Sequence, residues 1–369
     1  MNSQIFIMTI EYSVDIFLWI FETFLGAIHV LMIFFLITKR RKKVQIYRSP
    51  FYAIFIWISI FDLVYVVNND IGAKMAKYPA LMPFFLSETY YPTAFYFISA
   101  YSSAFEISGH TILSINRYWV IKNAKINQVC WSKKVTWVFY SLMFIFPIPT
   151  TVYRLFTPAQ YHYNNGIPSI TYVDPIVSQI VSYANMSYYT VNVIPSLFAT
   201  VCSFINYQHL KKLQYEVTAN EKHELKLIIH TSLMFLLLAA RYIYQIALLI
   251  ATYTKSTSVT TVAQFFFPII ASSYSLFGSS MLLIISKQVR YDFFNFYRRK
   301  SENFQDISHA TEEMAEPVQL ANAGCTLFLI FLLIVNIILA GLAIDFSSWT
   351  KDKMKIVGPL YRISPMGSG

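Results

Sequence analysis

The chain has 369 residues, of which 56% are hydrophobic, 18% aromatic and only 13% charged, with a mean hydropathy of +0.47. Soluble chains carry about a quarter charged residues, so these figures exclude a soluble globular protein and leave no stretch for a separate soluble domain. The formal net charge of +10 would suit nucleic acid, but the bases flank apolar runs on alternate loops, the bias of a multi-span membrane protein.

Residues 1–13 are weakly polar, and no Lys or Arg precedes Lys39. A cleaved signal peptide has a basic start, so the first apolar run, 14–38, is expected to be a retained span. Asp15, Glu22 and His29 recur in it every seven residues, which places them on one stripe of a helix. Asp15 suits a tolerated group near a helix end, while Glu22 and His29 lie deeper. Six bases between Lys39 and Arg48 then mark a cytosolic loop. Span two is expected over 50–67, with Asp62 its only charge. Residues 68–91 read as a net-neutral external loop containing Asp70, Lys74, Lys77 and Glu88, punctuated by Pro79 and Pro83.

The stretch Tyr96 to Ile121 is the expected hub, with span three over 94–115. Glu106 and His110 are four residues apart and Arg117 is seven further on, so the three share one helix face. Ionisable groups are costly in hydrocarbon and should face other helices or a water-filled cavity. At about 1.5 Å per residue, Glu106 lies roughly 16 Å from Arg117 along the helix. A carboxylate one turn from an imidazole suits either a packing contact or a ligand-facing, state-switching pair.

Beyond a second basic loop, span four is expected over 135–153, with Pro147 and Pro149 kinking or ending it. Residues 154–179 make the longest external loop, rich in Tyr, Pro, Asn and Gly, and read as a turn or short hairpin over the bundle mouth. Span five, 180–207, carries Pro195, and Asn185-Met186-Ser187 matches a glycosylation sequon lying against that span. The mixed-charge segment 208–226 suggests helical extensions into the cytosol. Span six, 227–253, carries Arg241 in its outer half, placed either to hold an acidic ligand or to snorkel to the outer headgroups. Span seven, 262–286, has Pro268 followed by small residues that favour close helix approach. Residues 287–300 place Val289, Phe293, Phe296 and Tyr297 at helical spacing on one side and bases on the other, as an amphipathic helix on the inner leaflet.

Twenty bases fall on the inner segments and four (Lys74, Lys77, Arg154 and Lys255) on the outer ones, which puts the N-terminus outside. The expected fold is all-α, a polytopic seven-transmembrane helix bundle over 1–300. A polar linker, 301–324, follows, and the apolar run 325–345 is long enough for an eighth span, although it would carry the bases of the 346–369 tail outside. Cys130, Cys202 and Cys325 are far apart and have no metal-ligand spacing.

Seven spans, Asn116-Arg117-Tyr118 at the inner end of span three and an amphipathic helix after span seven together resemble a G-protein-coupled receptor. Leu113–Ile121 (LSINRYWVI), the proline-bearing start of span seven and Ile284–Phe294 (IISKQVRYDFF) resemble the nematode serpentine chemoreceptors, class gamma in particular and its close relatives such as class v. The resemblance covers about residues 14–297. It implies that Asn116, Arg117 and Tyr118 take the place of the Asp/Glu-Arg-Tyr motif that couples rhodopsin-like receptors to a G protein, with Asn in place of the acid. Asp62 is similar in placement to the sodium-linked aspartate of that wider family, but span seven lacks its NPxxY motif. The usual disulfide from span three to the second external loop has no cysteines to form it.

The reading is a chemoreceptor of the cell membrane that passes an extracellular small-molecule signal to a heterotrimeric G protein. Glu106, His110, Asp62 and Arg241 are the candidate pocket or switch residues. No cofactor or metal site is expected, nor a nucleic-acid partner. The alternative is a channel or transporter with Glu22, Asp62, Glu106 and Arg241 along its path; no paired broken helices or inverted repeat support it. An intramembrane enzyme has no HExxH, paired-Asp or GxSxG motif to stand on.

Overall fold

The computed structural model describes residues 3–309 apart from 78–80, 87–89, 124–132, 165–166, 213–218 and 255–256. The linker beyond His309, the 325–345 segment and the tail lie outside the described residues. The helices are α1 (Ser3–Arg41), α2 (Pro50–Asn69), the short α3 (Met82–Leu86), α4 (Tyr91–Asn123), α5 (Lys133–Ile145), the short α6 (Ile148–Thr151), α7 (Pro175–Lys212), α8 (Ala219–Thr254), α9 (Thr257–Ile285) and α10 (Lys287–His309). Two strands, β1 (Ala159–Asn164) and β2 (Ile167–Tyr172), pair antiparallel with Tyr161 opposite Ile170.

Among the described residues, six helical segments are long and apolar enough to cross a membrane, and α4 is not one of them. Its position explains the difference. α4 packs against α2, α7 and α8, and against the α5–α6 turn, and every residue from Ala104 to Ser114 is buried. A helix enclosed by other helices meets protein rather than lipid, so its polar residues need partners, not hydrocarbon compatibility. α5 is the reverse case, with Trp137, Val138 and Leu142 exposed, and its apolar surface faces outward.

Gly109 of α4 packs closely against α2. A Cβ there would stand 2.4 Å from Ile58 Cγ1 and 3.1 Å from Met143 Cε, and Ile58 is fully buried with nowhere to turn. Gly109→Ala is therefore expected to wedge the two helices apart and to cost about 1–3 kcal/mol, the range for overpacking, read as a lowered unfolding midpoint of the purified protein.

Local chemistry sets the breaks. α1 ends where Lys43 adopts a left-handed backbone (φ 55°) and the Val44 and Lys43 amides bond back to Lys39 and Arg40, a Schellman closure. Pro147 divides α5 from α6, and Thr151 Oγ1 donates to the carbonyl of Pro147 at 2.8 Å. Pro195 and Pro268 sit inside α7 and α9 without ending them. α10 continues to His309, past residue 300, and its Asp292 accepts from Tyr47 at 2.8 Å while Tyr297 donates to the Leu31 carbonyl at 2.7 Å. Burial, and then the Asp292 carboxylate, hold the Tyr47 hydroxyl above the usual phenol range, so this tether between the first inner loop and α10 persists across physiological pH.

The hairpin is fastened without a disulfide. Tyr161 donates to the Gly72 carbonyl at 2.6 Å, Tyr96 of α4 donates to the Ile170 carbonyl at 2.5 Å, and the Ala159 amide donates to Thr93 at 3.1 Å. Tyr96 and Tyr172 stack with ring centroids 4.7 Å apart. Burial raises Tyr161 above the usual phenol range, so it stays a donor. Tyr161→Phe is expected to leave a buried carbonyl unpaired, costing about 1–3 kcal/mol and showing as faster amide exchange confined to 159–172.

Candidate functional site

α4 supplies the wall of a cavity alongside its N-terminal half. Ser99, Ser103 and Ile107 recur at intervals of four, so one face of the helix looks into it. Tyr65 and Asn69 of α2, Asn185 and Tyr189 of α7, Arg241 and Gln245 of α8, and Phe267 of α9 complete the lining, with Arg154 from the turn that follows α6. The cavity measures about 180 Å³.

Below it, buried charges meet across helices. Arg241 Nη1 lies 3.0 Å from Glu106 Oε2, and Arg241 Nη2 donates to Ser103 at 2.8 Å. The guanidinium also lies 5.0 Å and 5.2 Å from the ring centres of Tyr65 and Tyr274, a cation–π arrangement on both sides. Glu106 borders Asp62, whose Oδ2 is 3.4 Å from His29 Nε2 on α1. One connected set of groups thus ties α1, α2, α4 and α8 at mid-bundle. His110, one turn further in, packs its ring 5.2 Å from that of Tyr274 and makes no hydrogen bond through either ring nitrogen among the described residues.

Toward the C-terminal end of α4, Arg117 is 1% exposed. Its Nη2 donates to Asn116 Oδ1 at 2.5 Å and its guanidinium lies 4.6 Å from the centre of the Phe51 ring. The amide at 116 thus contacts the base that an acid holds in the related motif. Phe51 also meets His230 edge-on at 5.8 Å, and His230 Nε2 lies 3.0 Å from the Gly278 carbonyl, so α2, α4, α8 and α9 are joined beside Arg117. Tyr118 points elsewhere, to Phe198 of α7 at 6.3 Å.

A model of the serpentine type 7TM GPCR chemoreceptor Srv family matches residues 18–299. The chain belongs to that family. The resemblance read from sequence named class gamma first and class v as its relative, and the match is to Srv. Among curated proteins, none matches this chain. Among solved structures, squid rhodopsin superposes with a TM-score of 0.56 at 14% identity, over 83% of this chain and 93% of that one, a likeness of fold alone.

Within this Srv chain the predicted residues separate into three places. Arg241 lines the cavity; Glu106 and Asp62 lie beneath it; Asn116 and Arg117 are at the inner end. The snorkelling reading of Arg241 is overturned, since it is 1% exposed and ion-paired inside the bundle. Two of the four bases assigned to external loops are also inside. Arg154 is 5% exposed and donates to Asn185. Lys74 reaches Glu22 of α1 and lies 2.8 Å from Asp70, while Ser272 of α9 donates to the same Glu22. Part of the 68–91 loop is thus folded, with Asp70–Lys74 as a π-helical turn continuing α2, and that extra residue per turn brings Lys74 inward. Asn185 is half-buried within α7 and its amide oxygen accepts from Arg154. His230 and Phe51 escaped the sequence reading, because a lone His or Phe in an apolar run carries no spacing signal.

Proposed function

We propose that this Srv-family chain is a receptor in which a small molecule occupying the outer cavity shifts the helix bundle toward a state that engages a heterotrimeric G protein at Asn116 and Arg117. The observation that carries the reading is the double role of α4. One helix supplies the cavity wall at Ser99 and Ser103 and, about 21 Å further in by helical rise, the Arg117 that packs on Phe51. Between them the Glu106–Arg241 pair couples α4 to α8, so movement of α8 at the cavity is felt along α4. A ligand shifts such an equilibrium only by its difference in affinity for the two states. The family supports a small-molecule ligand and a G protein as partners, and the charge bias supports an external N-terminus.

The test is nucleotide exchange on a G protein with the purified chain in lipid vesicles, alongside epitope tags at residue 1 and between 213 and 218 stained with and without permeabilisation. Ligand-dependent exchange with an external N-terminus is expected. Ligand-gated current or uptake in vesicles without G protein would replace this reading with the channel or transporter one, as would an internal N-terminus. Against that alternative, Glu22 and Glu106 are ion-paired with Lys74 and Arg241 from neighbouring elements, and Asp62 lies beside Glu106.

A further inference from the structure

Arg154 differs from the other buried bases of the outer half. It stands in the turn Val152–Phe156 and is 5% exposed. Its Nη2 donates to Asn185 Oδ1 at 2.6 Å, and its guanidinium lies 5.9 Å from the centre of the Tyr153 ring. The Tyr172 side chain also neighbours it, and none of the three is a carboxylate. Lys74 has Glu22 and Asp70, and Arg241 has Glu106, but no carboxylate among the described residues stands within ion-pair distance of Arg154. Its Nε is buried and has no hydrogen-bond partner there.

Guanidinium groups keep their charge inside proteins, and a buried charge is costly unless it is paired. Arg154 lines the cavity, and so does Asn185. With its oxygen held by Arg154, the Asn185 amide still has its NH₂ to offer. Two donors thus converge at one end of the cavity. Arg241, also in the lining, has both terminal nitrogens engaged by Glu106 and Ser103 and is already neutralised. The apolar part of the lining is Phe95, Ala100, Ala104, Ile107 and Phe267. Its volume of about 180 Å³ is similar to cavities of about 150 Å³ that admit one benzene.

We propose that the cavity takes a small organic monocarboxylate, its anionic end paired with Arg154 and Asn185 and its apolar body, the size of one aromatic ring or a short alkyl chain, lying against α4. This deepens the receptor reading and rests on it for the consequence of occupancy, whereas binding is measured apart from signalling. The choice of Arg154 over Arg241 as the anion's partner follows from the charges, because Arg241 is already paired with Glu106.

The experiment is thermal stabilisation of the purified full chain by straight-chain carboxylates from butyrate to octanoate and by benzoate and phenylacetate, each beside its uncharged amide. At least one carboxylate is expected to stabilise saturably, with its amide on the order of ten- to a hundredfold weaker. Arg154→Gln is expected to abolish the preference for the charged form, and Arg154→Lys to retain part of it. The proposal is overturned if no carboxylate outbinds its amide, a comparison that needs only the natural chain and holds even where Arg154→Gln fails to fold. It is equally overturned if the preference survives in a folded Arg154→Gln protein. Arg154-dependent carboxylate binding without any effect on nucleotide exchange would sustain the anion site and remove the receptor reading, whereas exchange driven solely by neutral molecules would do the reverse.

Discussion

Arg241→Met is expected to strand Glu106 as a buried carboxyl group facing Asp62, and to lower stability by roughly 3–5 kcal/mol, the cost of removing one partner from a buried ion pair. Glu106→Gln removes the opposite charge and is expected to be destabilising as well, since Arg241 is then left between Tyr65 and Tyr274 with Ser103 as its partner. The double variant Glu106→Gln, Arg241→Met is expected to recover much of the loss, because neither charge is then buried alone. Unfolding midpoints of the four proteins in detergent make the cycle. Additive losses would mean that the two groups are not coupled, and the mid-bundle link between α4 and α8 would then be no part of how the receptor changes state.

Arg117→Ala is expected to reduce ligand-driven nucleotide exchange by roughly 5- to 150-fold, the span of typical coupling energies, while surface expression stays near that of the natural chain. The side chain is closed off in this structure, over Phe51 and against Asn116, so engaging a partner requires it to leave the Phe51 ring. Phe51→Leu removes that cation–π contact and is expected to raise exchange in the absence of ligand. Unchanged coupling in a well-expressed Arg117→Ala protein would mean that the inner end of α4 is not the coupling site.

Glu106, His110 and Arg117 were legible in the sequence as one inward face, because ionisable residues in a long apolar run have few places to go, and all three are buried. The hairpin was legible from its turn-rich composition and lies at β1 and β2. Lys74, Arg154 and Asn185 were not. Lys74 and Arg154 lie at the edge of an apolar run, where a polar residue is equally at home in an external loop or folded inward, and counting charges by loop assigns them to the loop by default; Asn185 lies within span five, where nothing in the local pattern selects Arg154 as its partner. What drew them in is local geometry: the π-turn after α2, the proline break between α5 and α6, and a half-buried amide at the start of α7.

Membrane residence, the all-α bundle and the central place of the third span follow from the one-dimensional pattern, because the bilayer imposes length, backbone satisfaction and charge bias on every span independently of its neighbours. Pairing is a different matter. Glu106 met Arg241 135 positions away, and Ser272 met Glu22 250 positions away, and nothing in the local pattern selects one such partner over another. The same holds for Arg154. Its burial beside a cavity, with no counter-charge among the described residues, exists only once α4, α7 and α8 stand around it, since a cavity is a property of several helices and of no single one.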